Sequence, residues 1–334
     1  MTEISLWFNR IMAVLVLSRP RTWSFAVSMF LGAYLSTGAI SWGKLLIGAA
    51  TVAAVTGLTN LFNAYTDQRE DMVNLPNRQP MLEAIAFPRL RLWIPAGYVI
   101  AICLGAFLGL KFTAVVFVAV ADSILYSWGL RFKAHPLLSL VAFSGAVVLP
   151  FVAGWVVERS ILEISPLVLV LGYFFFAYGN IKNLPDIPGD RQAGLRTMFT
   201  IYSFDKSIKL VSAMLLSPYL LLCALMVAGA LETKYALCFL FTPVVCYIIY
   251  RTMVAQTREE KEATHALGYF YQLLFFLVAL NLYVTHAAML AGSIVLLVFS
   301  ITADYFKIDS RPYDLRLDTL LGYRSPPRVR PAND

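Results

Sequence analysis

Asn63-Ala-Tyr-Thr-Asp67-Gln-Arg-Glu-Asp71 closes a long apolar run, and the chain continues through Asn74, Pro76 and Arg78 into a more polar stretch. Asn63, Asp67 and Asp71 recur every four residues. On a helix turning about 100° per residue they share one face, drifting by about 40° per step. Two carboxylates and an amide oxygen aimed one way, followed by the guanidinium of Arg78, form a hard-oxygen set suited to Mg2+ that itself holds a phosphate. Taken alone, the same spacing also describes a solvated helix end.

The apolar run behind this stretch belongs to a chain of 334 residues, 59% hydrophobic and 14% charged. A soluble domain carries about 25% charged residues, so the chain reads as an all-α polytopic membrane protein. Segments long enough to cross a bilayer lie near 22–40, 43–66, 90–110, 112–130, 136–157, 165–183, 207–230, 233–254 and 266–285. That makes nine transmembrane helices, or ten if the run 287–303 after His286 also crosses, in a bundle around a central cavity. No cleaved signal is expected, because the first apolar run stops at Ser18-Arg19-Pro20-Arg21 without a small-residue site. The four cysteines fall in apolar segments without metal-ligand spacing and read as buried hydrophobes.

Orientation follows from Lys and Arg, which gather in cytoplasmic loops. With the N-terminus inside, seventeen basic residues fall in inner segments against four (Lys44, Lys111, Arg159 and Lys234) in outer ones. This bias predicts a cytoplasmic membrane protein whose N-terminus, cavity mouth and acidic ridge face the cytoplasm. It also accounts for the net charge of +7, leaving no reason to invoke nucleic acid. Residues 1–303 read as one transmembrane domain. Residues 304–334 read as a basic tail, peripheral or disordered, resting on anionic lipid and without a chemical role.

A second acidic pair stands at the same predicted face, in Lys182-Asn183-Leu-Pro185-Asp186-Ile-Pro188-Gly189-Asp190-Arg191-Gln-Ala-Gly194. Asp186 and Asp190 follow Asp67 and Asp71 by 119 residues each. Acidic side chains at span ends are costly unless they meet water, a counter-ion or a metal, so the recurrence points to a shared polar cavity. Pro185, Pro188 and Gly189 predict a helix break there.

These two stretches resemble the N-x-x-x-D-x-x-x-D and K-D-x-P-D-x-x-G-D-R-x-x-G motifs of the UbiA superfamily of intramembrane prenyltransferases. The first includes the extension carried by Asn74, Pro76 and Arg78. Tyr126-Ser127-Trp-Gly-Leu-Arg131-Phe-Lys133 resembles a third, weaker signature, and the likeness covers roughly residues 18–285. Three positions depart from the pattern. Asn183 replaces a common acidic residue, Gly129 a common proline, and Asp122 a position usually small and neutral.

The resemblance implies Mg2+ at Asn63, Asp67, Asp71, Asp186 and Asp190, bridging the diphosphate of an isoprenoid donor. Arg78, Lys133, Lys182 and Arg191 would neutralise that diphosphate, with Asn74 and Asn183 beside it, while Tyr126 and Tyr178 would face the allylic cation or the acceptor. Asp122, the one carboxylate predicted well inside a span, is a catalytic candidate for taking a proton. The expected reaction is transfer of the isoprenoid to a small lipophilic acceptor, an aromatic or quinone precursor. Two alternatives remain open: a terpene cyclase of the same family, which needs no external acceptor, and a transporter.

Overall fold

The computed structural model of the chain describes residues 3–85, 89–311, 313 and 315–320, and side chains within that range except for 3–6, 317 and 318. The described residues are helical with short connections and contain no strand.

Each of the ten apolar runs forms helix. They are α2 (Pro20–Ser36), α3 (Trp42–Thr66), α6 (Leu90–Ala106), α7 (Leu110–Ser127), α8 (Pro136–Val156), α9 (Leu167–Lys182), α12 (Phe204–Val227), α13 (Thr242–Val254, preceded by 3-10 turns over Thr233–Phe241), α14 (Arg258–Tyr283) and α15 (Ala287–Thr302). α1 (Glu3–Leu17) precedes them, and short helices fill the connections: α4 (Gln68–Asn74), α5 (Arg78–Ile85), α10 (Ile187–Gln192) and α11 (Met198–Ile201). The run from 266 to 303 is two helices, separated at Val284–His286. By length and hydropathy alone, six helices among the described residues suffice to cross a membrane, or seven if α5 and α6 count as one bent span. All ten expected runs are therefore met as helices, and among the described residues six or seven have the full length and hydropathy of a span. α9 and α15 have only 16 residues each, short of the roughly 20 that a bilayer core requires.

Pro20 and Pro136 begin α2 and α8, where a missing N–H costs nothing because no helical carbonyl would have accepted it. α2 packs on α3, α8 and α15; α8 packs on α7 and α9; α14 packs on α9 and α13. α14 is the innermost of the long helices, with 67% of its apolar window buried. Its Phe275 and Phe276 meet Phe174 of α9 at centroid separations of 4.2 and 5.3 Å. Leu92, Phe117, Leu169, Leu220, Leu240 and Val295 point outward, as lipid-facing residues do. Six helices, α2, α3, α7, α8, α9 and α14, leave a chamber between them.

Candidate active site

The first acidic ridge survives a change of helix. α3 ends at Asp67 and α4 starts immediately after it, yet Asp67 N still donates to Asn63 O and Asp71 N to Asp67 O, both at 2.8 Å. Asn63, Asp67 and Asp71 therefore stay on one face and line one polar pocket. The second stretch breaks as its prolines and glycine demand. α9 stops at Lys182, and α10 resumes at Ile187 with Asp186 at its start.

Named contacts lock the two stretches together. Gly189 N donates to Asn74 Oδ1 at 3.1 Å. A Cβ on Gly189 would lie 2.5 Å from the Asn74 amide, so only glycine lets α10 come this close. Arg258, at the start of α14, donates to the carbonyls of Val73 and Asn74 at 3.1 and 2.7 Å, satisfying the end of α4.

The turn between α7 and α8 docks on the same ridge. Ser127 Oγ donates to Asn63 Oδ1. Lys133 Nζ reaches Asp67 Oδ1 at 2.5 Å and Glu70 Oε1 at 3.1 Å, and Arg131 reaches Glu70 at 2.9 Å. Gly129 has φ +68°, a value closed to the proline of the related pattern, whose ring fixes φ near −65°. Lys182 lies over the rings of Phe143 at 4.6 Å and Tyr126 at 5.9 Å, joining the second stretch to α7 and α8.

Ten charged residues line this pocket: Asp67, Glu70, Asp71, Asp186 and Asp190 against Arg19, Arg78, Lys133, Lys182 and Arg311. Asn74 and Asn183 line it too. Arg78 binds Asp71 at 2.8 Å, and Arg311 forks onto Asp186 at 2.7 and 2.9 Å. Asp190 is buried and forms no ion pair among the described residues. Burial, reinforced by Asp186, pushes its carboxyl up to about 7, and burial likewise raises Asp71.

Above the pocket lies the apolar chamber, of about 180 Å³, which shares Arg19, Asn60, Asn63, Tyr126 and Lys182 with it. Phe25, Phe143, Phe175, Tyr126 and Tyr178 line the chamber, and Tyr178 Oη is buried without a hydrogen-bond partner among the described residues. Asp122 also faces the chamber and has no hydrogen bond or ion pair among the described residues. Gly145 leaves space for it, since a Cβ there would stand 3.0 Å from Asp122 Oδ2.

A sequence model of the UbiA prenyltransferase family matches residues 24–276. The chain belongs to that family. It is 24% identical to digeranylgeranylglyceryl phosphate synthase of Methanosphaera stadtmanae over 67% of this chain and 81% of the relative. It is 30% identical to UbiA prenyltransferase domain-containing protein 1 of Gallus gallus over 66% of this chain and 70% of the relative. A UbiA homolog from Archaeoglobus fulgidus, solved bound to GPP and Mg2+, shares the fold with a TM-score of 0.56 at 18% identity, covering 86% of this chain and 99% of that one. This UbiA-family chain is accordingly an integral membrane protein and an intramembrane prenyltransferase by family.

Of the residues expected from sequence, the pocket gathers Asn63, Asp67, Asp71, Asn74, Arg78, Tyr126, Lys133, Lys182, Asn183, Asp186 and Asp190. Tyr178 and Asp122 line only the chamber, and Arg191 is exposed outside both. Sequence reasoning passed over Glu70, one turn from Asp67 on the same ridge, as well as Arg19, Arg258 and Arg311. Residues 304–311 and 313, which by sequence carry no chemical role, run back over the site end of the bundle and bring Arg311 into the pocket. Residues 321–334 of that tail lie outside the described residues. Among the described residues, no three His, Cys, Asp or Glu side chains converge as a ready-made metal cage. Most of the carboxylates are held by Lys and Arg instead.

Proposed function

We propose that this chain catalyses Mg2+-dependent transfer of an isoprenoid from a polyprenyl diphosphate to an acceptor within the membrane. One observation carries the reading: both acidic pairs and five cations line a single pocket that opens onto an aromatic, apolar chamber. The pocket suits a diphosphate and the chamber suits the attached hydrocarbon. The GPP and Mg2+ bound by the Archaeoglobus fulgidus homolog are the same pair of chemistries.

The donor set fits Mg2+. Its ligands are all hard oxygens, and Asp190 is a buried carboxylate still lacking a cation. Asp67, Asp71, Asp186 and Asp190 would hold the metal, with Asn63 as neutral partner. When bound, it neutralises charge on the leaving diphosphate as a Lewis acid. Arg78, Lys133 and Lys182 supply fixed positive charge beside the same oxygens as the C–O bond lengthens. Tyr126 and Tyr178 offer ring faces to the allylic cation, and the chamber keeps water from it. An aromatic or quinone-precursor acceptor would stack against Phe143 and Phe175, themselves stacked at 4.3 Å. The Lys and Arg bias supports a pocket that faces the cytoplasm.

Purified protein incubated with geranylgeranyl diphosphate, an aromatic acceptor and Mg2+ should release diphosphate, and Asp67→Asn and Asp186→Asn should each abolish release. Release by both variants within about threefold of the wild type, a barrier change under about 1 kcal/mol, would sink the proposal.

A second reading rests on Asp122. An unpaired carboxylate facing the chamber can take a proton from an acceptor, or from a cation that has cyclised internally. Incubation without acceptor separates the two: a cyclic product favours a cyclase, and unreacted donor favours a transferase.

A further inference from the structure

The segment after α15 is tied down by contacts that do not involve the acidic pairs. Asp304 accepts from Arg21 Nη1 at 2.8 Å and from the Tyr313 backbone N–H at 2.9 Å. Ser310 N donates to Val16 O at 3.1 Å, and Asn77 Nδ2 donates to Ser310 O at 3.0 Å. The Tyr313 ring stacks on Tyr269 at 4.3 Å, and its hydroxyl accepts from Arg19 at 3.2 Å. These contacts reach α1, α2, α14 and the turn before α5. They fix the segment as a wall of the site whether or not Asp186 is engaged.

From that wall Arg311, only 7% exposed, projects into the polar pocket and forks onto Asp186. A guanidinium fork matches a carboxylate and a phosphate equally well. Arg191, the arginine adjacent in sequence to the second acidic pair, is exposed outside the pocket, and Lys182 and Arg311 are the cations that act on that pair among the described residues. Without Arg311, acidic side chains would outnumber basic ones around the pocket by one.

We propose that Arg311 is a diphosphate-binding residue of this active site. It holds Asp186 while the donor is absent, and turns its guanidinium to the diphosphate oxygens when a cation takes Asp186. The proposal rests on the prenyl diphosphate reading above, and it makes the segment after α15 part of the reaction centre instead of an appendage.

The test is calorimetric titration of the full chain in detergent with inorganic pyrophosphate at saturating Mg2+, and separately with Mg2+ alone. Arg311→Gln should weaken pyrophosphate binding by about tenfold or more, the loss expected for one hydrogen-bonded charge contact. The same variant should bind Mg2+ alone more tightly than the wild type, because Asp186 is freed. A strap with a purely structural role would move neither affinity in this opposed pattern. Arg311→Lys keeps a point charge without the fork and should fall between the two. If Arg311→Gln fails to fold, a drop of about threefold or more in Arg311→Lys, at unchanged melting temperature, supports the role, and no drop overturns it. Pyrophosphate affinity in Arg311→Gln within about threefold of the wild type overturns the role of Arg311 alone. Failure of the wild type to bind Mg2+ and pyrophosphate overturns the prenyl diphosphate reading together with it.

Discussion

Gly189→Ala is the smallest change that should pull the two acidic motifs apart. The added methyl would sit 2.5 Å from both Oδ1 and Nδ2 of Asn74, where ordinary contact begins at 3.4 Å. α4 and α10 must therefore separate by about 1 Å, enough to forfeit much of the dispersion attraction between them. Asn74 cannot swing aside freely, because its own carbonyl is held by Arg258 at 2.7 Å and its side chain accepts from Gly189 N. Overpacking of this kind costs about 1–3 kcal/mol, and the broken hydrogen bond adds about 1 kcal/mol. The melting temperature should fall by several degrees. Diphosphate release should fall more steeply, by about 100-fold, since a 1 Å misplacement of positioning groups can cost that much. Release is read by a coupled pyrophosphate assay in wild type, Gly189→Ala, Asn74→Ala and the double variant. In the Asn74→Ala background the methyl has room, so Gly189→Ala should add little, leaving a coupling of about 2–3 kcal/mol in release. Equal losses in both backgrounds would refute the idea that the clash with Asn74 joins the sites.

Three further outcomes are expected. Asp190 lies near 7 in the metal-free protein against an ordinary 3.8, raised by burial and then by Asp186. A carboxyl raised by folding stabilises the fold at low pH, and that contribution is lost as pH climbs from about 4 through about 7. The metal-free melting temperature should therefore decline across this window, and Mg2+, which needs the ionised form, should flatten the decline by stabilising more at pH 8 than at pH 6. Parallel curves with and without Mg2+ would refute this. Lys133→Met leaves Asp67 and Glu70 facing one another without their shared cation. It should destabilise the metal-free protein by about 3–5 kcal/mol, read by denaturation, and Mg2+ should recover part of the loss. Asp122→Asn should leave pyrophosphate affinity unchanged while lowering product formation by about 100-fold, the scale of a lost proton acceptor. An equal loss in both would place Asp122 with the diphosphate instead.

Sequence alone made the first ridge legible because a period of four is a helix signature that survives the small kink at Asp67. The break at the second pair was legible because Pro185, Pro188 and Gly189 cannot continue a helix. The arginine serving that pair was not. The resemblance implied Arg191, next to Asp190, but neighbours on a helix point in different directions, and α10 sends one into the pocket and the other to the surface. Arg311 comes from 125 residues away, through a segment whose Arg, Pro and Asp content reads as a loose basic tail. Only tertiary structure shows that Arg19, Arg21 and Tyr269 receive it. The end of the sixth apolar run, expected at 183, was legible as well: α9 ends at Lys182, where the residues beyond it turn aside to build the site.

The balance of five acidic and five basic side chains gives the polar pocket its logic. Carboxylates gathered at the end of a membrane bundle, away from bulk water, would repel one another and shed charge by taking up protons, as Asp190 does in part. Pairing Asp67 with Lys133, Asp71 with Arg78 and Asp186 with Arg311 lets the ligand-free protein hold the groups that its reaction requires without that cost. The same pairing means that neither a divalent cation nor a diphosphate can enter alone without stranding a buried charge of its own sign. Entering together, the cation would take the carboxylates and the diphosphate the released Lys and Arg, so that every buried charge would keep a partner. On the proposed function, donor and metal are thus selected as a unit, and the energy for ionising the donor comes from cations already in place before it arrives.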